Sequence, residues 1–220
     1  MAIDLYYTPD SPACRLVLLV AAALDLQMEH HHINLQNGDQ YDPKYLKINP
    51  QHSVPTIVDN GFPVWEARAI GRYLVNKYGM GSTLYPTELK ERTLVDMRLD
   101  FDLGVLYERF AYYFYPQLFI GERPDKVHFA KLLEAMFFFN TFLAGETYAA
   151  GPTLTLADLS LVSTISTIEA SGMDLTPFEN ILEWYTRVKA TALKYEETNG
   201  KGLEVFKEMV DNWRRNKTEL

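Results

Sequence analysis

The chain divides into an α/β unit over residues 1–80 and an all-α, bundle-like unit over residues 88–220, joined by a linker at 81–87. Three features predict this. Short β-rich runs alternate with apolar helical stretches as far as residue 78. The segment GMGSTLYP at 79–86 then gathers two glycines, a serine and a proline, and the alternation stops. Beyond it only helical periodicity recurs. A length of 220 residues suits one large domain or two small ones, and a chain of this size buries ~70% or more of its unfolded surface.

Residues 3–7 are β-rich and end at the turn Thr8-Pro9-Asp10. Ser11 and Pro12 open a helix to about residue 24, with Ser as N-cap and Pro at the first helical position. Residues 30–35 read as a second strand, which Asn37-Gly38-Asp39 breaks, and 43–46 as one short helix. Residues 54–59 and 62–65 flank Asn60-Gly61, a strong hairpin signal. Trp65-Glu66 leads into a helix ending near Tyr78. The order β-α-β-α-β-β-α predicts a mostly parallel sheet, covered on both faces, with an antiparallel edge hairpin.

In the second unit, residues 88–119 read as one long helix. Its apolar stripe runs through Leu94, Met97, Leu99, Phe101, Val105, Leu106 and Phe110. Residues 126–143 repeat the pattern. Thr155 to Asp158 spell a capping box with Asp in the Glu/Gln position, and Leu154 and Leu159 suit a hydrophobic staple. Residues 181–193 and 203–213 complete the set. No internal repeat or low-complexity tract interrupts it.

Composition narrows the function. Apolar residues are 47% and charged residues 23%, as in an ordinary globular chain. A net charge of −8 opposes nucleic-acid binding, which needs clustered basic charge. The single cysteine, Cys14, excludes an intramolecular disulfide and a cysteine zinc cluster, and suits a reducing compartment. No secretory signal or membrane-length apolar run is evident, so a cytoplasmic protein without a membrane partner is expected. His30 and His32 share one strand face while His31 points away. Two histidines make half a metal site, no nearby cysteine or carboxylate pair completes one, and no metal is expected.

Five stretches in order, YYTPDSPACR at 6–15, LKINPQHSVPT at 46–56, WEARAI at 65–70, YAAG at 148–151 and LTLAD at 154–158, resemble the cytosolic glutathione transferases. The resemblance covers nearly the whole chain and points to the insect delta class, with epsilon as neighbour. It implies an N-terminal thioredoxin-like domain that binds glutathione and a helical C-terminal domain that forms the electrophile site. It also implies a cytosolic homodimer with a detoxifying role.

Residue by residue, the resemblance makes Ser11 the catalytic hydroxyl, donating to the glutathione thiolate. A thiol with pKa ~8.5 is only ~3% ionised at pH 7, so a depression of two units, ~2.7 kcal/mol, makes it mostly thiolate. The Val54 backbone, beside Pro55 in cis, would pair with the cysteinyl unit. His52 and Gln40 fall at the glycyl end, Gln40 standing where delta enzymes often carry His. Glu66 and Arg68 would grip the γ-glutamyl amine and carboxylate, opposite charges suited to a zwitterion, and Asp102 would support that region. Tyr107, Phe110, Tyr115, Leu118, Phe119 and Phe206 fall at positions that line the electrophile pocket.

Position 67 departs from the pattern: the family carries Ser or Thr, this chain Ala67. One lost hydrogen bond to a charged group costs ~1.5–3 kcal/mol, so glutathione binding should be weakened and should survive on the backbone N–H of residue 67. The same departure supports a competing reading, a non-enzymatic binding protein for apolar ligands on this scaffold. Disulfide exchange is disfavoured, because Ser11 stands where a redox relative carries its nucleophilic cysteine and Cys14 lies one turn inside the helix.

Overall fold

The computed structural model describes residues 3–218. Four strands, β1 (Ile3–Tyr7), β2 (Met28–His32), β3 (Thr56–Asp59) and β4 (Phe62–Trp65), form one sheet in the order β2-β1-β3-β4. Three helices accompany it: α1 (Pro12–Ala23), α2 (Pro43–Ile48) and α3 (Ala67–Tyr78). The element order matches the expectation, but the strand sense differs. Only β1 and β2 run parallel; β3 is antiparallel to β1, and β4 to β3. The crossing through α2 carries the chain to the far side of β1, where it returns in the opposite direction.

The second strand also begins and ends earlier than its composition suggests. It stops at His32 because Asn34 turns the chain: its side-chain oxygen accepts from the Gln36 and Asn37 N–H groups, while Asp39 accepts from the Asn34 N–H. On the inner face of the sheet Ile3, Leu5 and Ile57 are buried with the apolar sides of α1 and α3. The outer face is only partly covered. There Tyr45 of α2 lies 5.5 Å from the Tyr6 ring and bonds Ser53 O and Thr56 Oγ1.

The helical unit comprises α4 (Leu89–Phe101), α5 (Glu108–Ile120), α6 (Lys126–Phe142), α7 (Leu156–Ala170), α8 (Glu179–Thr191) and α9 (Lys201–Thr218). The expected long helix over 88–119 is two helices joined by a π-helical segment, Asp102–Tyr107. Its predicted stripe is partly wrong as well. Leu94 and Met97 are exposed, and Val95 with Leu99 take the buried face.

Helix α7 is the axle of the molecule. Every residue from Leu156 to Ile168 is buried, and the helix packs against α1, α3, α4, α8 and α9. A helix apolar or buried all round belongs at the centre of a fold. Its start is fixed by Asp158, whose carboxylate accepts from the Thr155 N–H (2.8 Å), the Thr155 hydroxyl (2.9 Å), the Ala149 N–H (2.7 Å) and the Trp184 indole (2.8 Å). The capping box is therefore formed as expected. Burial pushes the Asp158 carboxyl upward, and these four donors oppose the push.

Asp158→Ala strands those donors in the interior. It should lower unfolding stability by at least about 3 kcal/mol, since a buried group left unpaired costs ~1–3 kcal/mol. Urea unfolding monitored by Trp fluorescence measures this, and a loss below about 1 kcal/mol would contradict it.

Candidate active site

Ser11 sits at the N-cap of α1 in extended conformation (φ −74°, ψ 122°). Its Oγ accepts a long bond, 3.4 Å, from the Cys14 N–H. No hydrogen bond among the described residues takes the Ser11 hydroxyl proton. The preceding loop is held from the helical unit. A Cβ on Gly202, near the start of α9, would lie 2.2 Å from Pro9 O and 2.9 Å from Arg15 Cδ, so only glycine lets α9 approach this closely.

Arg15, one turn beyond Ser11, is fully buried and joins the two units. Its guanidinium donates to Asn199 Oδ1 (2.9 Å), Ser166 Oγ (3.3 Å), Ser163 O (3.4 Å) and Thr167 Oγ1. Burial lowers its pKa to about 10, which leaves it charged at neutral pH. Cys14 is inert: burial pushes its thiol up to about 12.

Two loops face the same end of the sheet. The Val54–Pro55 peptide is cis, as expected. No backbone hydrogen bond among the described residues uses the Val54 N–H or C=O, so both remain for an extended ligand. Glu66, the N-cap of α3, adopts φ 68°, and His52 φ 46°. Non-glycine residues in this region are uncommon and concentrate at functional sites. Gln51 Nε2 donates to Glu66 Oε1 at 2.8 Å. The exposed His52 ring lies 5.0 Å from Tyr41. Gln40 Nε2 donates weakly to Leu35 O, 3.4 Å, while its Oε1 is buried without a partner.

Arg68 and Asp102 form the polar floor. Arg68 Nη2 lies 2.6 Å from Asp102 Oδ2, with Asp102 fully buried. Ser160 of α7 donates to the same oxygen. Arg68 Nε and Asp102 Oδ1 have no partner. Asp102 opens the π-helical segment and Tyr107 closes it. Such segments often occur at functional sites, where the extra residue re-aims side chains. Above the pair, the Arg68 guanidinium lies 5.9 Å from the Tyr107 ring, and Tyr107 OH meets Tyr115 OH at 3.2 Å. Burial raises both phenols, Tyr115 well above the usual range.

Of the expected wall residues, Tyr107, Tyr115 and Leu118 are half-buried and Phe119 is exposed. Phe110 and Phe206 are 1% and 2% exposed and belong to the core, not to an open wall. Phe110 stacks on Phe114, which also meets Phe206. A cavity of about 910 Å³ lies on the other face of α5. Tyr113, Phe114 and Gln117 line it with Phe129, Leu132 and Trp213.

Sequence reasoning missed Arg15, Ser160 and Asn199, because each meets its partner across more than 30 residues of chain and no local signal marks it. It also missed a carboxylate pair beside the third histidine. Asp4 and Glu29 stand next to His31, on the face opposite His30 and His32.

A four-stranded mixed sheet with its helices, followed by a helical unit, is a thioredoxin-like domain joined to an all-α domain. The glutathione S-transferase N-terminal domain profile matches residues 1–76 and the C-terminal domain profile residues 112–194. A delta-class glutathione transferase of Nilaparvata lugens is 44% identical, with a TM-score of 0.94, over 96% of this chain and 99% of that one. An epsilon-class enzyme of the housefly Musca domestica is 34% identical, with a TM-score of 0.90, over 96% and 98%. A glutathione transferase homolog of Drosophila mojavensis, solved with bound glutathione, is 35% identical, with a TM-score of 0.88, over 96% and 97%. The chain belongs to the glutathione S-transferase family.

Arg68→Ala leaves the Asp102 carboxylate buried with Ser160 alone. It should cost about 3–5 kcal/mol of stability, as broken buried pairs do. In a double-mutant cycle with Asp102→Ala, the double variant should be more stable than the sum of the two losses implies. Strict additivity would show that the pair is not coupled.

Proposed function

We propose that this transferase binds glutathione along the Val54 edge and that Ser11 stabilises its thiolate for attack on an apolar electrophile. The observation that carries the reading is the Ser11 hydroxyl. It accepts its capping bond and keeps its proton to donate. The positive end of α1 adds favourable partial charge at the same point.

The remaining roles follow from chemistry. The Val54 N–H and C=O pair with the cysteinyl unit of the extended tripeptide. Glu66 takes the γ-glutamyl amine, and the N–H groups that open α3 at Ala67 and Arg68 take its carboxylate. Arg68, already paired with Asp102, lends that corner positive charge without spanning the cleft. His52 and the Gln40 amide meet the glycyl end. The Tyr107–Tyr115 pair, with Leu118 and Phe119, forms the wall for the electrophile. The new carbon–sulfur bond forms as the electrophile's leaving group departs with the electron pair. The catalytic gain is thiolate formation plus proximity. Exposed Phe62, Leu94 and Met97 supply apolar surface for a homodimer, and the identities favour the delta class over epsilon. No helix among the described residues is long and apolar enough to cross a membrane.

Ser11→Ala should lower kcat/KM with an aryl halide roughly 25-fold at pH 7, the ratio of thiolate fractions for a two-unit shift. The deficit should shrink toward parity near pH 9.5, where the free thiol is ~90% ionised. A pH-independent deficit would overturn the role. Ala67→Ser should tighten glutathione binding ~10- to 150-fold by calorimetry, and unchanged affinity would show that the backbone alone saturates the carboxylate.

A second reading, carriage of an apolar ligand, is favoured by the 910 Å³ cavity behind α5. Trp213 lines it and reports occupancy. An apolar dye should quench Trp213 fluorescence without competing with glutathione. Quenching that persists in Trp213→Phe would place the dye elsewhere.

A further inference from the structure

The parallel pairing of β1 and β2 sets Asp4 opposite Glu29 and Tyr6 opposite His31. On the outer face of the sheet this gathers three ligand atoms, from Asp4, Glu29 and His31, all within 4.8 Å of one another. His31 Nε2 lies 2.8 Å from Asp4 Oδ1 and 4.0 Å from Glu29 Oε1. From this juxtaposition we propose that Asp4, Glu29 and His31 form a surface site for a divalent first-row transition cation, outside the glutathione cleft.

Geometry supports the set. Around a cation with bonds of ~2.1 Å, neighbouring octahedral donors lie ~3.0 Å apart and opposed donors ~4.2 Å apart. The two measured spacings fall beside these values. Glu29 is the most exposed of the three, its side chain 65% accessible, so it can draw inward by rotation. The imidazole is held by stacking on Tyr6, with centroids 4.7 Å apart and planes 20° apart. Side chains on paired strands hold geometry better than loop residues do.

Charge points the same way. Two carboxylates share one imidazole, and among the described ion pairs no Lys or Arg meets either acid. A dication there would neutralise both acids. Two oxygens with one imidazole nitrogen suit zinc, cobalt or nickel, while magnesium prefers oxygen alone. By spanning β1 and β2, the ion would brace the strand that leads into the Thr8–Ser11 loop.

The test is calorimetry of the untagged, full-length protein with zinc and with nickel at about pH 7.5. One ion per chain is expected, with magnesium silent. His31→Asn should weaken zinc binding at least tenfold, the scale on which even outer-shell losses act. The pair Asp4→Asn with Glu29→Gln should do the same, which keeps the test valid if one variant folds poorly. His30→Asn with His32→Asn should leave it unchanged. Zinc should also raise the midpoint of thermal unfolding in wild type and not in His31→Asn. Binding that survives His31→Asn, or that vanishes with His30 and His32, would overturn the proposal. So would the absence of zinc binding at millimolar concentration.

Discussion

The buried guanidinium of Arg15 is the constraint on which the two-domain arrangement rests. A charge removed from water is costly unless its donors are met, and the penalty is several kcal/mol per ion. Here a carboxylate does not meet it. Hydroxyls, an amide oxygen and a backbone carbonyl from α7 and the segment before α9 do. These acceptors work only when α1 lies against α7 in one register. Ser166 and Thr167 of α7, which would otherwise be poor interior residues, are thereby paired, whereas the neighbouring Thr164 hydroxyl is buried without a partner. Asn199 carries the network on, donating to Ser166 Oγ and Tyr195 OH. Ser11 begins the same helix as Arg15, so the anchoring of α1 also sets where the reactive hydroxyl stands.

The site is built on helix starts. Ser11 opens α1, Glu66 opens α3, and the Asp158 cap opens α7, the helix that supplies Ser160 to Asp102. Helix N-termini present unpaired N–H groups and partial positive charge. A ligand with a thiolate and two carboxylates suits such a surface without any clustered basic residues. This explains how a chain of net charge −8 holds an anionic peptide. The field at the site is local, made by backbone and one paired arginine, and is independent of the sign of the whole.

Much of this was legible in the sequence because the signals are short-range. Ser11-Pro12, Asn60-Gly61 and the Thr155–Asp158 box each carry their physics within four residues, and each lies where its pattern says. What failed was long-range. Strand order and sense depend on a crossing, so the mixed sheet was misread as mostly parallel. The helix over 88–119 has continuous helical propensity, and no local signal marks the π-helical segment from Asp102 to Tyr107, whose first residue pairs with Arg68. Phe206 has a wall-like position but packs on Phe114 of α5, a contact distant in sequence, and Phe110 stacks on the same ring one turn away. The carboxylate pair beside His31 was hidden for the same reason. Asp4 is close to it only through strand register.

Ala67 shows how the scaffold distributes its grip. The corner proposed for the γ-glutamyl group has two sources of stabilisation in this chain, which lacks a hydroxyl at 67: the backbone N–H groups that open α3 and the paired arginine. Both are fixed by structure that does other work. The N–H groups exist because α3 must start after Glu66, and Arg68 is held because Asp102 is buried and needs a partner. Neither can be lost without disturbing the fold. The methyl at 67 is buried, 4% exposed, and fits the core beneath. On the proposed reading, the change at 67 therefore bears on affinity and not on stability. It leaves Ser11 untouched, so it acts on ground-state binding and leaves the proposed chemical step to the α1 start.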